Sequence, residues 1–183
     1  MNLNFPTILL DTQRRMHPKI AEFPNQYFYE NKLKTEYNHN FELEPIQIFD
    51  VNGKEKLDGT SFYNMEEVEE IIKIYYNLLN EFSDIVIISP YNAQCSKLKN
   101  KDNSLNVHTV DSFQGKEADI IILTTVRSND DVGFWNDPRR LNVGLTRARH
   151  GLRIVGHLKT WDKKSGPLKD YLNYIKLNNI TIK

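Results

Sequence analysis

The sequence predicts an α/β protein with a mainly parallel sheet and helices on both faces, three layers in all. Two observations carry that expectation. Four runs of β-branched and apolar residues, Ile46 to Val51, Ile85 to Ser89, Ile120 to Val126 and Leu152 to Val155, are continuous, not alternating. Continuous apolar strands belong to parallel sheets buried on both sides. Helical patterns lie between these runs, and strands alternating with helices give the crossover architecture of an α/β domain. In such folds ligands gather at the carboxyl ends of the strands, so chemistry is expected there.

In chain order, Ile8 to Leu10 is a weaker strand candidate, and His17-Pro18 starts a helix, with proline suited to its first turn. After the Ile46 strand, Asn64 with Glu67 three residues later resembles a capping box. Met65, Val68, Ile72, Tyr75, Leu79 and Phe82 then recur at steps of three and four, forming one apolar helical stripe. The Ile85 strand and a weaker candidate, Val107 to Val110, precede the Ile120 strand. Asp137 as N-cap and Pro138 at the first helical position predict another helix start. On a helix advancing about 100° per residue, Leu141, Leu145 and Ala148 form an apolar stripe, and Arg140 and Arg147 fall within roughly 20° of each other beside it, projecting from one edge. A last helix is expected over 167–177. Lys34 to Asn40, Gly53 to Thr60 and Lys99 to Asn106 are polar loops.

A chain of 183 residues suits one hydrophobic core, and the whole of 1–183 is read as a single domain. Lys plus Arg and Asp plus Glu each total 24, so no global field attracts a polyanion and any such binding needs local clustering. The single cysteine, Cys95, excludes an internal disulfide or a multi-cysteine zinc site and fits a reducing compartment. His17, His108, His150 and His157 lack metal-ligand spacing, so no metal site is expected. With no basic leader and no run of 18 apolar residues, the reading is an intracellular protein, cytoplasmic or nuclear, with no membrane contact.

Three stretches could carry chemistry. In VDSFQGKEADIIILTTVRSN, a polar turn around Gln114-Gly115-Lys116-Glu117 enters a buried strand, and glycine there lets backbone approach a ligand. Taken alone, the turn reads more readily as a tight loop whose Lys and Glu are simply solvated. DPRRLNVGLTRARHGLRIVGH carries Arg139, Arg140, Arg147, Arg149 and Arg153 with no acid between Pro138 and Thr160. Forked guanidinium groups suit phosphate, while a solvated basic face explains the charge as well. IISPYNAQ leaves a strand and presents Tyr91 and Gln94 at the top of the sheet, where Tyr91 taken by itself reads as a partly buried aromatic rather than a nucleic-acid contact. A Walker-type phosphate loop needs G-x-x-x-x-G-K-[S/T]. GLRIVGHL has the glycine spacing but places His157-Leu158 where the lysine and hydroxyl belong, within a strand pattern. No apolar run ends in an Asp-Glu pair. The chain alone is therefore expected not to hydrolyse ATP.

Together QRRMHP, SPYNAQ, VDSFQGKE and RRLNVGLTRAR resemble, in order and spacing over about residues 8–157, the second RecA-like domain of superfamily 1B helicases. The similarity is greatest to the up-frameshift-protein and Sen-like branch. It implies a RecA-like fold of the P-loop NTPase type and the C-terminal motor domain of an ATP-dependent RNA or DNA helicase moving 5′ to 3′. ATP would lie in a cleft closed by a first RecA-like domain, which supplies the Walker motifs and holds Mg. The resemblance assigns Arg15 and Arg147 to the γ-phosphate as arginine fingers. It assigns Glu117 to the ribose and Gly115 to close approach of the loop. Tyr91, Gln94 and Thr109 are assigned to a single strand of RNA or DNA, through phosphate and sugar. Arg14 stands where the family has an adenine-stacking aromatic; a guanidinium plane also stacks on a base. Ser89 replaces the usual Thr and keeps the hydroxyl. A stand-alone nucleic-acid-binding or regulatory module that kept the fold without catalysis is the alternative reading.

Overall fold

A computed structural model describes residues 11–39 and 41–183. The Ile8 to Leu10 strand candidate and Asn40 lie outside the described residues. A short strand β1 (Thr12–Gln13) precedes helix α1 (Pro18–Phe28), and β2 (Lys34–Thr35) pairs with β1. Then follow β3 (Ile46–Asp50), a hairpin of β4 (Glu55–Asp58) and β5 (Ser61–Asn64), α2 (Met65–Leu78), β6 (Ile85–Ser89) and α3 (Asn92–Lys101). The chain continues through β7 (Val107–Thr109), β8 (Ala118–Thr124), a single 3-10 turn (Gly133–Asn136), α4 (Pro138–Leu145), β9 (Ala148–Gly156), α5 (Leu158–Lys163), α6 (Pro167–Leu177) and β10 (Thr181–Ile182).

The main sheet has six strands in the order β10-β3-β9-β8-β6-β7, all neighbours parallel. Its central strands are continuous in hydrophobicity because both faces are covered. Val86, Ile88, Ile121 and Leu123 point into one cluster with α1, α4, α5 and α6, while Ile85, Ile87, Ile120 and Ile122 point into another with α2 and α3. The expected three-layer α/β fold is present. No helix among the described residues is long and apolar enough to cross a membrane.

Several local expectations are corrected. The α2 stripe centres on Val68, Ile71, Ile74 and Tyr75, while Leu79, its C-cap, is exposed. Asn64 caps α2 by accepting from the Glu67 amide at 3.2 Å, but the reciprocal half of a capping box is missing. The Glu67 carboxylate instead turns inward, and the Asn64 amide donates to Gln94. Helix α4 starts at Asp137-Pro138 as expected but ends at Leu145. Ala148 opens β9, and Arg147 sits in the turn between the two elements, so Arg140 and Arg147 do not share a helical edge. The physical reason is sheet pairing: the Ala118 amide donates to the Arg147 carbonyl at 3.1 Å, which draws the backbone out of the helix. Arg153 leaves the basic face altogether. It lies buried within β9, where desolvation lowers its guanidinium to about 10 and its Nη1 donates to the Glu44 carbonyl at 2.9 Å.

Candidate functional site

Two groups of residues lie at opposite ends of the parallel sheet. Glu117 immediately precedes β8 and Arg147 immediately precedes β9, so both occupy the amino end. The segment between β1 and α1 joins them there, because the His17 amide donates to the Arg149 carbonyl at 2.9 Å. This group lies at the end opposite the one where ligands are expected: its side chains come from loops entering strands, not leaving them.

At the amino end Arg15 donates through Nε to Glu117 and through Nη1 to the Thr146 carbonyl at 3.2 Å. Arg147 donates to the Val143 carbonyl at 3.1 Å, the Lys116 carbonyl at 3.3 Å and the Thr146 hydroxyl at 3.0 Å. Arg149 donates to Glu117 at 3.3 Å and to Asp119 at 2.8 Å, and also pairs with Asp84. Two guanidinium groups, those of Arg15 and Arg149, therefore hold one carboxylate, and Arg147 lies close enough to feel its charge without bonding it. Burial works to raise the Glu117 carboxyl, but Arg15 and Arg149 outweigh it and hold it below its ordinary range. Burial lowers the Arg147 guanidinium, and the neighbouring charge of Arg15 lowers it further. Two cations pressed together at a partly desolvated point are chemically suited to an anion between them. The donor set fits a polyphosphate.

Gly115 lies in the turn leading to this cluster with φ +82, a left-handed conformation natural to glycine, and nothing approaches within 4 Å of where a Cβ would stand. Arg14 points elsewhere. Its side chain is 77% exposed and pairs with Glu36 at 2.8 Å. Arg149, Asp119 and Asp84 were not singled out from the sequence for this cluster. The alternation of Arg147 and Arg149 into a strand was the available signal, since every second residue of a strand faces the same way.

At the carboxyl end, Thr109 closes β7 in a turn in which its hydroxyl accepts from the Ser112 amide at 3.2 Å. Tyr91 and Gln94 are placed differently from the expectation. Gln94 is fully buried, accepting from the Asn64 amide at 2.8 Å and donating to the Thr124 hydroxyl at 3.1 Å. Tyr91 is only 4% exposed, with its hydroxyl beside Arg127 and under the backbone of Gly133. Neither side chain is open at the surface, because α3 packs on β6 and the hairpin. Among the described residues no group of three or more His, Cys, Asp or Glu side chains could hold a metal ion.

The sequence profile of the AAA domain family AAA_12 matches residues 1–159. The chain belongs to that family. Among curated relatives, this AAA domain is 38% identical over 187 residues to Helicase sen1 of Schizosaccharomyces pombe, covering 87% of the chain and 11% of that protein. It is 38% identical over 203 residues to Regulator of nonsense transcripts 1 of Dictyostelium discoideum, covering 94% of the chain and 15% of that protein. The AAA domain thus spans a small fraction of these relatives. In fold it resembles the C-terminal domain of a possible DNA helicase from Lactobacillus plantarum WCFS1, with a TM-score of 0.59 at 15% identity, covering 93% of this chain and 98% of that one.

Proposed function

We propose that this chain is the C-terminal motor domain of an ATP-dependent superfamily 1 helicase acting on single-stranded RNA or DNA. The observation that carries the proposal is the pairing of Arg15 and Arg149 with Glu117, beside Arg147, at one end of the sheet. A relative named as a helicase, Helicase sen1, supports it across 87% of the chain. Bound ATP supplies the phosphoanhydride bond whose cleavage drives movement. Within this domain, Arg15 and Arg147 meet the charge that develops on the transferred phosphoryl group, in the manner of arginine fingers. Glu117 accepts from the ribose hydroxyls and, without nucleotide, holds Arg15 in reserve. The Walker lysine and the Mg ligands belong to a first RecA-like domain across the cleft.

Coupling has a covalent route. The segment 109–117 runs from the carboxyl end of β7 to the amino end of β8, and α4 links Arg140 to the turn bearing Arg147. Arg140 pairs with Asp111 at 3.3 Å, so a shift of either segment is felt by the other. Alternating cleft closure and opening then moves a strand across the carboxyl end. The test is Arg147→Ala in a protein joining this chain to a Walker-bearing domain. Hydrolysis is expected to fall on the order of 10³ with nucleotide binding retained. An unchanged rate would return Arg147 to a structural role.

A further inference from the structure

We infer that a cleft between the β4–β5 hairpin and the 127–137 loop receives one unstacked base of the single strand. This site rests on the strand-binding reading above and lies outside the four sequence motifs except for Tyr91 and Arg140. Tyr91 forms the floor. Phe62, from the hairpin, meets it edge-on at 5.7 Å between ring centroids, and Phe134, from the loop, lies at 5.0 Å on a tilted plane. Each phenylalanine carries a stacked guanidinium: Arg127 at 4.2 Å over Phe62, and Arg140 at 4.6 Å over Phe134. The cavity measures about 380 Å³, within the ~300–1,000 Å³ of sites that hold small organic ligands.

The cleft is built in advance. The Glu55 carboxylate at the start of the hairpin accepts from Arg127 Nε at 2.9 Å, the Ser128 amide at 2.7 Å and the Asn129 side chain at 2.9 Å, which locks hairpin to loop. Gly133 has φ +59, and a Cβ there would stand 2.1 Å from the Tyr91 hydroxyl, so only glycine lets the loop close over the floor. Phe134 nevertheless remains 43% exposed beside this frame, an aromatic held rigidly at the surface.

The charges select the guest. Arg127 pairs with the buried Glu55 and Arg140 with Asp111, and Asp131 and Asp137 also line the cleft, so the lining carries no excess positive charge and fits an uncharged ring better than a phosphate. Two guanidinium groups on the walls disfavour a cation such as a methylated lysine. A flat nucleobase stacks on phenylalanine and on guanidinium planes alike. Its backbone would pass Arg139 and Arg140, which line the adjoining depression with Val110 and Gln114. The asserted role of Tyr91 thereby becomes indirect: it supports the platform and Phe134 makes the contact.

The test uses this chain with short oligodeoxyadenosine and with a fully abasic strand of equal length, titrated at several salt concentrations. Phe134→Ala should weaken binding of the base-bearing strand by about tenfold, with the salt slope unchanged, because stacking carries no counterion release. Binding of the abasic strand should not change, and Phe134→Trp should restore the loss. A 2-aminopurine strand should show quenching that Phe134→Ala abolishes. If the chain binds both strands equally and Phe134→Ala changes neither, the base site is overturned while strand binding stands. If it binds neither strand at low salt, both readings fall.

Discussion

Arg15 and Glu117, 102 residues apart in sequence, form an ion pair at the amino end of the central sheet, and the same arginine donates to the Thr146 carbonyl at 3.2 Å. An arginine suited to a phosphate is thus held by the carboxylate suited to a ribose. In the joined two-domain protein, Glu117→Gln should weaken the grip on Arg15 and remove a ribose acceptor. The expected outcome is a several-fold higher KM for ATP with a smaller change in kcat, read by steady-state hydrolysis. An equal loss in kcat with KM unchanged would place Glu117 in the transition state instead.

The isolated chain should show no magnesium-dependent ATP turnover, since its arginines have no Walker lysine opposite them. Purified material assayed for phosphate release checks this; turnover abolished by Arg15→Ala would disprove it.

Gln94 is expected to matter for folding and not for strand contact. Gln94→Ala leaves the Asn64 amide and the Thr124 hydroxyl without their buried partner, a cost of about 1–3 kcal/mol. Chemical denaturation should register the loss, while the salt dependence of strand affinity should stay as it was.

Glu67 gives a pH signature. Fully buried, its carboxyl is pushed up to about 8 by desolvation, although Thr124 and the Val126 amide donate to it. Its folded value exceeds its unfolded value, so the stability it contributes is complete below about 4.5 and is lost as pH rises toward 8. The slope is at most ~1.4 kcal/mol per pH unit. Glu67→Gln should flatten that dependence between pH 5 and pH 8 in thermal melts, and Glu67→Ala should lower stability throughout by releasing Val126, a β-branched residue at φ +68. A melt curve whose pH slope Glu67→Gln leaves intact would remove Glu67 from this role.

Local chemistry alone determined much of this protein. Continuous β-branched runs placed β3, β6 and β8, Asp137-Pro138 started α4, and the last helix spans residues 167–177 as expected. The four motifs, read by resemblance, pointed to Arg15, Arg147 and Glu117, which the fold brings into one cluster. Helical periodicity misplaced Arg147, because a strand pairing outbid the helix at Leu145, and such pairing depends on Ala118, thirty residues upstream. Tertiary structure alone decided that Gln94 and Glu67 turn inward, that Arg153 is buried, and that Phe62 and Phe134 share a floor. Local sequence sets which way a helix or strand begins, through caps and propensities acting over a few residues. Which polar side chain is desolvated, and which aromatics meet, depends on segments far apart in the chain, and only the packed sheet brings them within reach.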